Sequence, residues 1–177
     1  MIQAVAVPLP FPKPARFRPA GVVQWAAYSP IPPPFIHERP RRKGNRGLGQ
    51  KYEDQAQTFF SEEFGSFYIP SPWFRFRASG SEKTRWCQPD GLIFQPVHLT
   101  ITIVEIKLRH TADAWWQTQR LYLPVISNLF PPSLWAYNIC EVVKWYDPAV
   151  AFPERHRLAA SPLVLNPNEF GVHIYKP

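Results

Sequence analysis

The sequence predicts a mixed α/β domain with an antiparallel hairpin in its central sheet and helices on its flanks. Two patterns carry that expectation. Between residues 48 and 64, Leu48, Tyr52, Ala56, Phe59, Phe60 and Phe64 recur at helical spacing, and Gly65 follows as a natural stop. From residue 73 to 109 the period changes to short β runs rich in Val, Ile, Thr and aromatic residues. With 177 residues, 45% hydrophobic content and seven Trp, the chain can bury a real core and is too apolar for general disorder.

Taken in order, residues 1–36 read as an extended arm, because ten of the 22 prolines fall in the first forty residues. Val22-Val23-Gln24-Trp25 can form a short strand within it. The arm's apolar residues, Phe11, Phe17, Trp25 and Phe35 among them, call for a surface to lie on. That surface is the domain itself or a neighbouring subunit, which would make the protein a homo-oligomer. A basic stretch follows, with Arg39, Arg41, Arg42, Lys43 and Arg46, and the division is drawn at 1–46 for arm and basic loop and 47–177 for the domain. After the helix over 48–64, Trp73-Phe74-Arg75-Phe76-Arg77 alternates as a strand. Residues 78–84 form a loop, and strands are expected over 85–95 and 99–109. A second helix spans 112–123, with Thr111 as N-cap and Pro124 ending or kinking it. The remainder reads as a strand over 134–145, a proline-containing loop and a closing strand over 172–175.

Composition narrows the function classes. Cys87 and Cys140 stand alone, which supports neither a disulfide framework nor a zinc ribbon and makes a reducing cytoplasm the expected compartment. No apolar run approaches the roughly 20 residues of a membrane span, and the first lysine, Lys13, comes too late for a secretory signal. A net charge of +7 points to a polyanionic partner.

The chemistry concentrates at Pro89-Asp90 and Glu105-Ile106-Lys107. A Glu and a Lys that close the apolar run Leu99-Thr100-Ile101-Thr102-Ile103-Val104 need a reason, since charged groups are rarely buried alone. If Gln95 pairs with Thr100 across the turn Pro96-Val97-His98-Leu99, the same register places Asp90 opposite Glu105. Lys107 then shares their face and Ile106 leaves its carbonyl at the same strand end. Two carboxylates so close repel, and a hard divalent cation relieves them. Mg²⁺, with Mn²⁺ as a substitute, suits two carboxylates plus a backbone carbonyl. Lys107 would orient or deprotonate a metal-bound water, or stabilise charge in the transition state. A cross-strand salt bridge and ordinary Asp-Gly turn chemistry account for the same residues without a metal.

Pro89-Asp90, a short spacer and Glu105-Ile106-Lys107 on an apolar strand resemble the signature of the PD-(D/E)xK nuclease superfamily. The resemblance implies a restriction-endonuclease-like core: a leading helix, a three-stranded antiparallel meander, a second helix and a further strand, matching residues 47–145. It implies that Asp90, Glu105 and the Ile106 carbonyl bind metal, that Glu53 of the leading helix is an extra acidic ligand, and that Lys107 is catalytic. Glu53 also reads as a first-turn glutamate complementing the helix dipole. Gln119-Arg120-Leu121-Tyr122 is loosely similar to the Gln–Tyr pair of RecB-like members, which would let Gln119 support the site. A polar residue at the edge of a packed helix explains Gln119 equally well. The type and size are compatible with a phage or mobile-element origin and hence a host cytoplasm.

The expected activity is metal-dependent hydrolysis of phosphodiester bonds, in DNA first, with RNA not excluded. Arg39, Arg41, Arg42, Lys43 and Arg46, joined by Arg75 and Arg77 on one strand face, would contact the phosphate backbone. As alternatives, the basic run is a solvated charge run and the two strand arginines merely edge the sheet. Two rival functions remain compatible with the sequence: a catalytically inactive nucleic-acid-binding module of the same fold, and an assembly protein whose arm embraces a neighbour. If the basic loop contacts phosphates, Arg41→Glu with Arg42→Glu weakens DNA binding and reduces its salt slope by about 0.9 per lost contact. A salt titration in which affinity and slope match wild type would remove the loop from the interface.

Overall fold

The computed structural model describes residues 17–36, 44–109, 112–145 and 171–175. Residues 1–16, the basic residues Arg39, Arg41, Arg42 and Lys43, and Thr111 lie outside the described residues. The fold is mixed α/β with two sheets and few helices. Strand β1 (Val23–Ser29) precedes helix α1 (Asn45–Phe64), which leads through a single 3₁₀ turn to β2 (Tyr68–Pro70). Then come β3 (Trp73–Ala78), β4 (Thr84–Cys87), β5 (Gly91–Gln95) and β6 (Thr100–Arg109). Helix α2 (Ala112–Gln117) passes through a π turn (Thr118–Tyr122) into α3 (Leu123–Leu129), followed by β7 (Ala136–Trp145) and β8 (Gly171–Tyr175).

The larger sheet has the order β2-β5-β6-β7-β8. Its β6–β7 contact is parallel and its other contacts are antiparallel. The smaller sheet, β1-β3-β4, is antiparallel throughout. One face of the larger sheet receives α1: Tyr52, Ala56 and Phe60 pack with Ile93, Val104, Ile106, Cys140 and Val142. Its other face carries Leu92, Ile101 and Ile103, which meet Phe74 and Phe76 of the small sheet and Leu121, Val125 and Ile126 of the second helical segment. Side chains alternate along β6, so Glu105 and Lys107 share the face of Ile101 and Ile103, opposite α1. No helix among the described residues is long and apolar enough to cross a membrane.

Three local departures from expectation have physical causes. The strand expected over 85–95 is two strands in different sheets. Pro89 lacks the N–H a continuous ladder requires, and the chain crosses from one sheet to the other at Gln88-Pro89-Asp90. The short strand expected around residues 22–25 runs from Val23 to Ser29 and pairs with β3, with Ala20 and Ala26 buried in the core. Lastly, Pro124 does not end the second helix. Pro124 has no N–H to return to the carbonyl of Arg120, and the N–H of Ala20 donates to that carbonyl at 2.8 Å instead. The preceding turn widens to π geometry and the chain stays helical to Leu129.

At the start of β5, Gly91 is required for packing. A Cβ there would lie 2.5 Å from both Cε2 and Oη of Tyr68, whose ring packs on Phe60 at a centroid distance of 5.3 Å. Gly91→Ala is expected to destabilise the fold by about 1–3 kcal/mol through overpacking. Thermal unfolding reads this directly, and an unchanged melting temperature would mean the Tyr68 ring has room to swing aside.

Candidate metal and phosphodiester site

The hairpin register is the one the sequence predicts, running from Gln95 opposite Thr100 to Gly91 opposite Val104. Leu99 closes the connecting turn in the left-handed region, at φ 46°. Pairing then stops while β6 continues to Arg109 alongside β7. Asp90 sits where the ladder ends. Its Oδ2 accepts the N–H of Ile106 at 2.6 Å, standing in for the backbone acceptor of a longer strand. In the continued register Pro89 would oppose Ile106, and a proline has no N–H to give to the Ile106 carbonyl. An extended residue directs N–H and C=O to the same edge, so this carbonyl lies on the side of Asp90.

Several groups hold Asp90 from behind. Its backbone carbonyl accepts the N–H of Ser71 at 2.9 Å, Nε2 of Gln57 at 3.3 Å and the Tyr68 hydroxyl at 3.5 Å. Gln57 also donates to Oγ of Ser71 at 2.7 Å, and Gln88 donates to the Ser71 carbonyl at 2.8 Å. Ser71 itself adopts φ 45°. Helix α1, the turn between β2 and β3, and the crossover thus converge on one aspartate.

Glu105 is 2% exposed and its Oε1 pairs with Nζ of Lys107, whose side chain is 31% exposed. Oε2 of Glu105 is buried with no hydrogen-bond partner. Burial, then the neighbouring Asp90 and, more weakly, Glu141, lift the Glu105 carboxyl above its ordinary range, and Lys107 does not cancel the lift. For Lys107, burial alone would favour the neutral amine. Glu105, then Asp90 and Glu53, outweigh it and hold the ammonium above its usual pKa. Burial and the neighbouring carboxylates thus push the Glu105 carboxyl up, while those carboxylates hold the Lys107 ammonium up against its own burial.

Glu53 is half-buried on α1, and its charge reaches Lys107 and Tyr68. Among the described residues, no group of three or more His, Cys, Asp and Glu side chains could hold a metal ion by itself. The candidate donors at the strand end are the two carboxylates and the Ile106 carbonyl, with Glu53 on α1 close enough for its charge to act on Lys107. That fits Mg²⁺, which commonly keeps several waters and takes only one or two carboxylates; the unpartnered Oε2 of Glu105 is a free donor for it.

The Gln–Tyr pair differs from the sequence expectation. Gln117, not Gln119, donates through Nε2 to the hydroxyl of Tyr122. The π turn brings residues five apart onto one side, which an α-helical count cannot anticipate. Gln119 is half-buried with Nε2 lacking a hydrogen-bond partner. Burial, followed by Glu105 and Asp90, raises the Tyr122 phenol well above its ordinary value and keeps it protonated beside the carboxylates. Sequence reasoning also missed Glu141, which is only 3% exposed and lies opposite Glu105 in the parallel ladder. The signal was present: an isolated Glu inside Ile139-Cys140-Glu141-Val142-Val143.

Of the residues expected to meet nucleic acid, Arg46 lies in the first turn of α1. Arg75 and Arg77 occupy the small sheet, with the Arg75 guanidinium 5.5 Å from the ring centre of Trp25 and Nη1 of Arg77 3.8 Å from Glu82. Compared with known proteins, the chain matches no family model, no curated protein and no solved structure.

The raised Glu105 carboxyl has a definite pH signature. Below about the ordinary carboxyl value of 4.5 both native and unfolded chains are protonated at this position. As pH rises the unfolded chain ionises first. The native state then loses about 1.4 kcal/mol of stability for each further pH step of one, until its own carboxyl ionises. In metal-free buffer, Glu105→Gln is therefore expected to gain stability over wild type as pH increases above that value. Denaturant titrations across pH measure the difference, and parallel curves would refute the buried, repelled carboxyl.

Proposed function

We propose that this protein is a Mg²⁺-dependent nuclease with a restriction-endonuclease-like core, hydrolysing phosphodiester bonds in DNA. One observation carries the reading: Asp90 and Glu105 meet Lys107 at a strand end where charge repulsion and an unpartnered carboxylate oxygen await a cation. The element order gives further support. Helix α1 leads, β2, β5 and β6 form an antiparallel meander in space, α2 and α3 follow, and β7 runs parallel to β6. The small sheet enters this scheme as an insertion, β3 and β4, between β2 and β5.

A bound Mg²⁺ supplies an acidified water and positive charge against the scissile phosphate. Asp90 and Glu105 hold it as carboxylates, with the Ile106 carbonyl as a third donor. Lys107, kept as an ammonium, orients the attacking water and donates to the charge that builds on phosphorus-bound oxygens. Glu53 tunes that lysine from α1, and the Gln117–Tyr122 pair packs as a protonated wall beside the carboxylates.

The test is cleavage of labelled single-stranded, duplex and branched DNA with Mg²⁺, Mn²⁺ or EDTA. Wild type is expected to cut at least one substrate with metal and none with EDTA. Asp90→Asn and Lys107→Met should each lose on the order of 100-fold or more, and Gln117→Ala should lose more than Gln119→Ala. Absence of metal-dependent cleavage on all three substrates, or equal cutting by the Asp90 and Lys107 variants, ends the proposal.

A further inference from the structure

We infer that the outer face of the three-stranded sheet is a stacking platform for single-stranded DNA. Its inner face is closed by Ala26, Phe74 and Phe76 in the core. Directly opposed residues of antiparallel strands share a face, and on the outer side Trp25 opposes Arg77, Arg75 opposes Trp86, and Trp73 lies opposite Ser29. Three tryptophans and two arginines thus alternate on one small surface. Trp73 and Trp86 meet edge to face at 6.5 Å, and Phe35 meets Trp86 at 6.5 Å from the side. These contacts set the rings in place in advance. Yet Trp25 is 43% and Phe35 62% exposed.

The arginines set the charge of the occupant. Arg75 is exposed above Trp25, an arrangement that offers a guanidinium next to an aromatic face. Arg77 pairs with the fully solvated Glu82 at 3.8 Å, a contact of little worth that a phosphate would readily replace. Rings accept the π-face of any base, and guanidiniums accept the backbone between bases. A duplex keeps its base faces stacked inside, so this surface fits unpaired strands. The net charge of +7 favours the same class of ligand. The choice of DNA over RNA rests on the function proposed above.

The experiment is an anisotropy titration of a labelled oligo-dT of about 15 nucleotides, in EDTA so that no strand is cut. A duplex of equal length and an oligo-rU are run beside it. Wild type should bind oligo-dT more tightly than duplex and no more weakly than oligo-rU. Trp25→Ala and Arg75→Glu, both at exposed positions, should each weaken oligo-dT binding at least about fivefold with circular dichroism unchanged. Trp86→Ala should do the same, and its thermal melt separates binding from folding. Equal affinity of wild type, Trp25→Ala and Arg75→Glu overturns the inference, as does a preference for duplex or for oligo-rU. So does a wild-type dimer that Trp25→Ala converts to monomer without altering DNA affinity. Because no divalent metal is present, cleavage can fail while this platform stands, and the platform can fail while cleavage stands.

Discussion

The hydrogen bond from the Ile106 N–H to the Asp90 carboxylate is the constraint on which the strand-end geometry depends. It replaces a ladder bond at the point where β5 and β6 stop pairing, and it does so because Pro89 and Asp90 follow one another. The proline ends the ladder without supplying a donor, and the aspartate occupies the acceptor position with a side chain. A charge-assisted bond of this kind is stronger than the neutral bond it replaces. The surrounding structure is arranged to keep it: Ser71, Gln57 and Tyr68 converge on the Asp90 carbonyl, and Gly91 leaves room for the Tyr68 ring.

Electrostatics sets this strand end apart from an ordinary one. A buried carboxylate that lacks a full set of partners destabilises a fold, and here Glu105, with one oxygen unpartnered, stands between Asp90 and Glu141 and pairs with Lys107. The fold tolerates that strain because β7 pairs with β6 along its whole length, past the point at Val104 where β5 stops. Strain concentrated on a few acidic groups in an otherwise apolar sheet is the pattern expected where a ligand completes the charge balance. The small sheet divides the labour further, since its inner rings complete the core under the site while its outer rings remain available.

Much of this was legible from residue order. The apolar stripe of α1 and its glycine stop, the hairpin register, and the shared face of Glu105 and Lys107 all follow from period and spacing. What was not legible depended on tertiary competition. Residues 85–95 look like one strand because strand-forming residues flank Pro89-Asp90-Gly91 on both sides, and only the two-sheet arrangement shows that the chain crosses there. The Gln–Tyr pair shifted from Gln119 to Gln117 because a π turn, coupled to Pro124 and to the Ala20 N–H, changes which residues face one another. Glu141 stands out as an isolated Glu in an apolar run, but its nearness to Glu105 depends on the parallel pairing of two strands, which residue order does not show.

The central claim is that Asp90 and Glu105 form a divalent-metal site. Electron paramagnetic resonance of Mn²⁺ titrated into metal-free protein tests it without reference to any substrate. The account predicts that wild type removes about one equivalent of the free-ion signal and that Asp90→Asn with Glu105→Gln leaves the signal free. A wild type that leaves the Mn²⁺ signal unchanged, or a double variant that binds as wild type does, would contradict it.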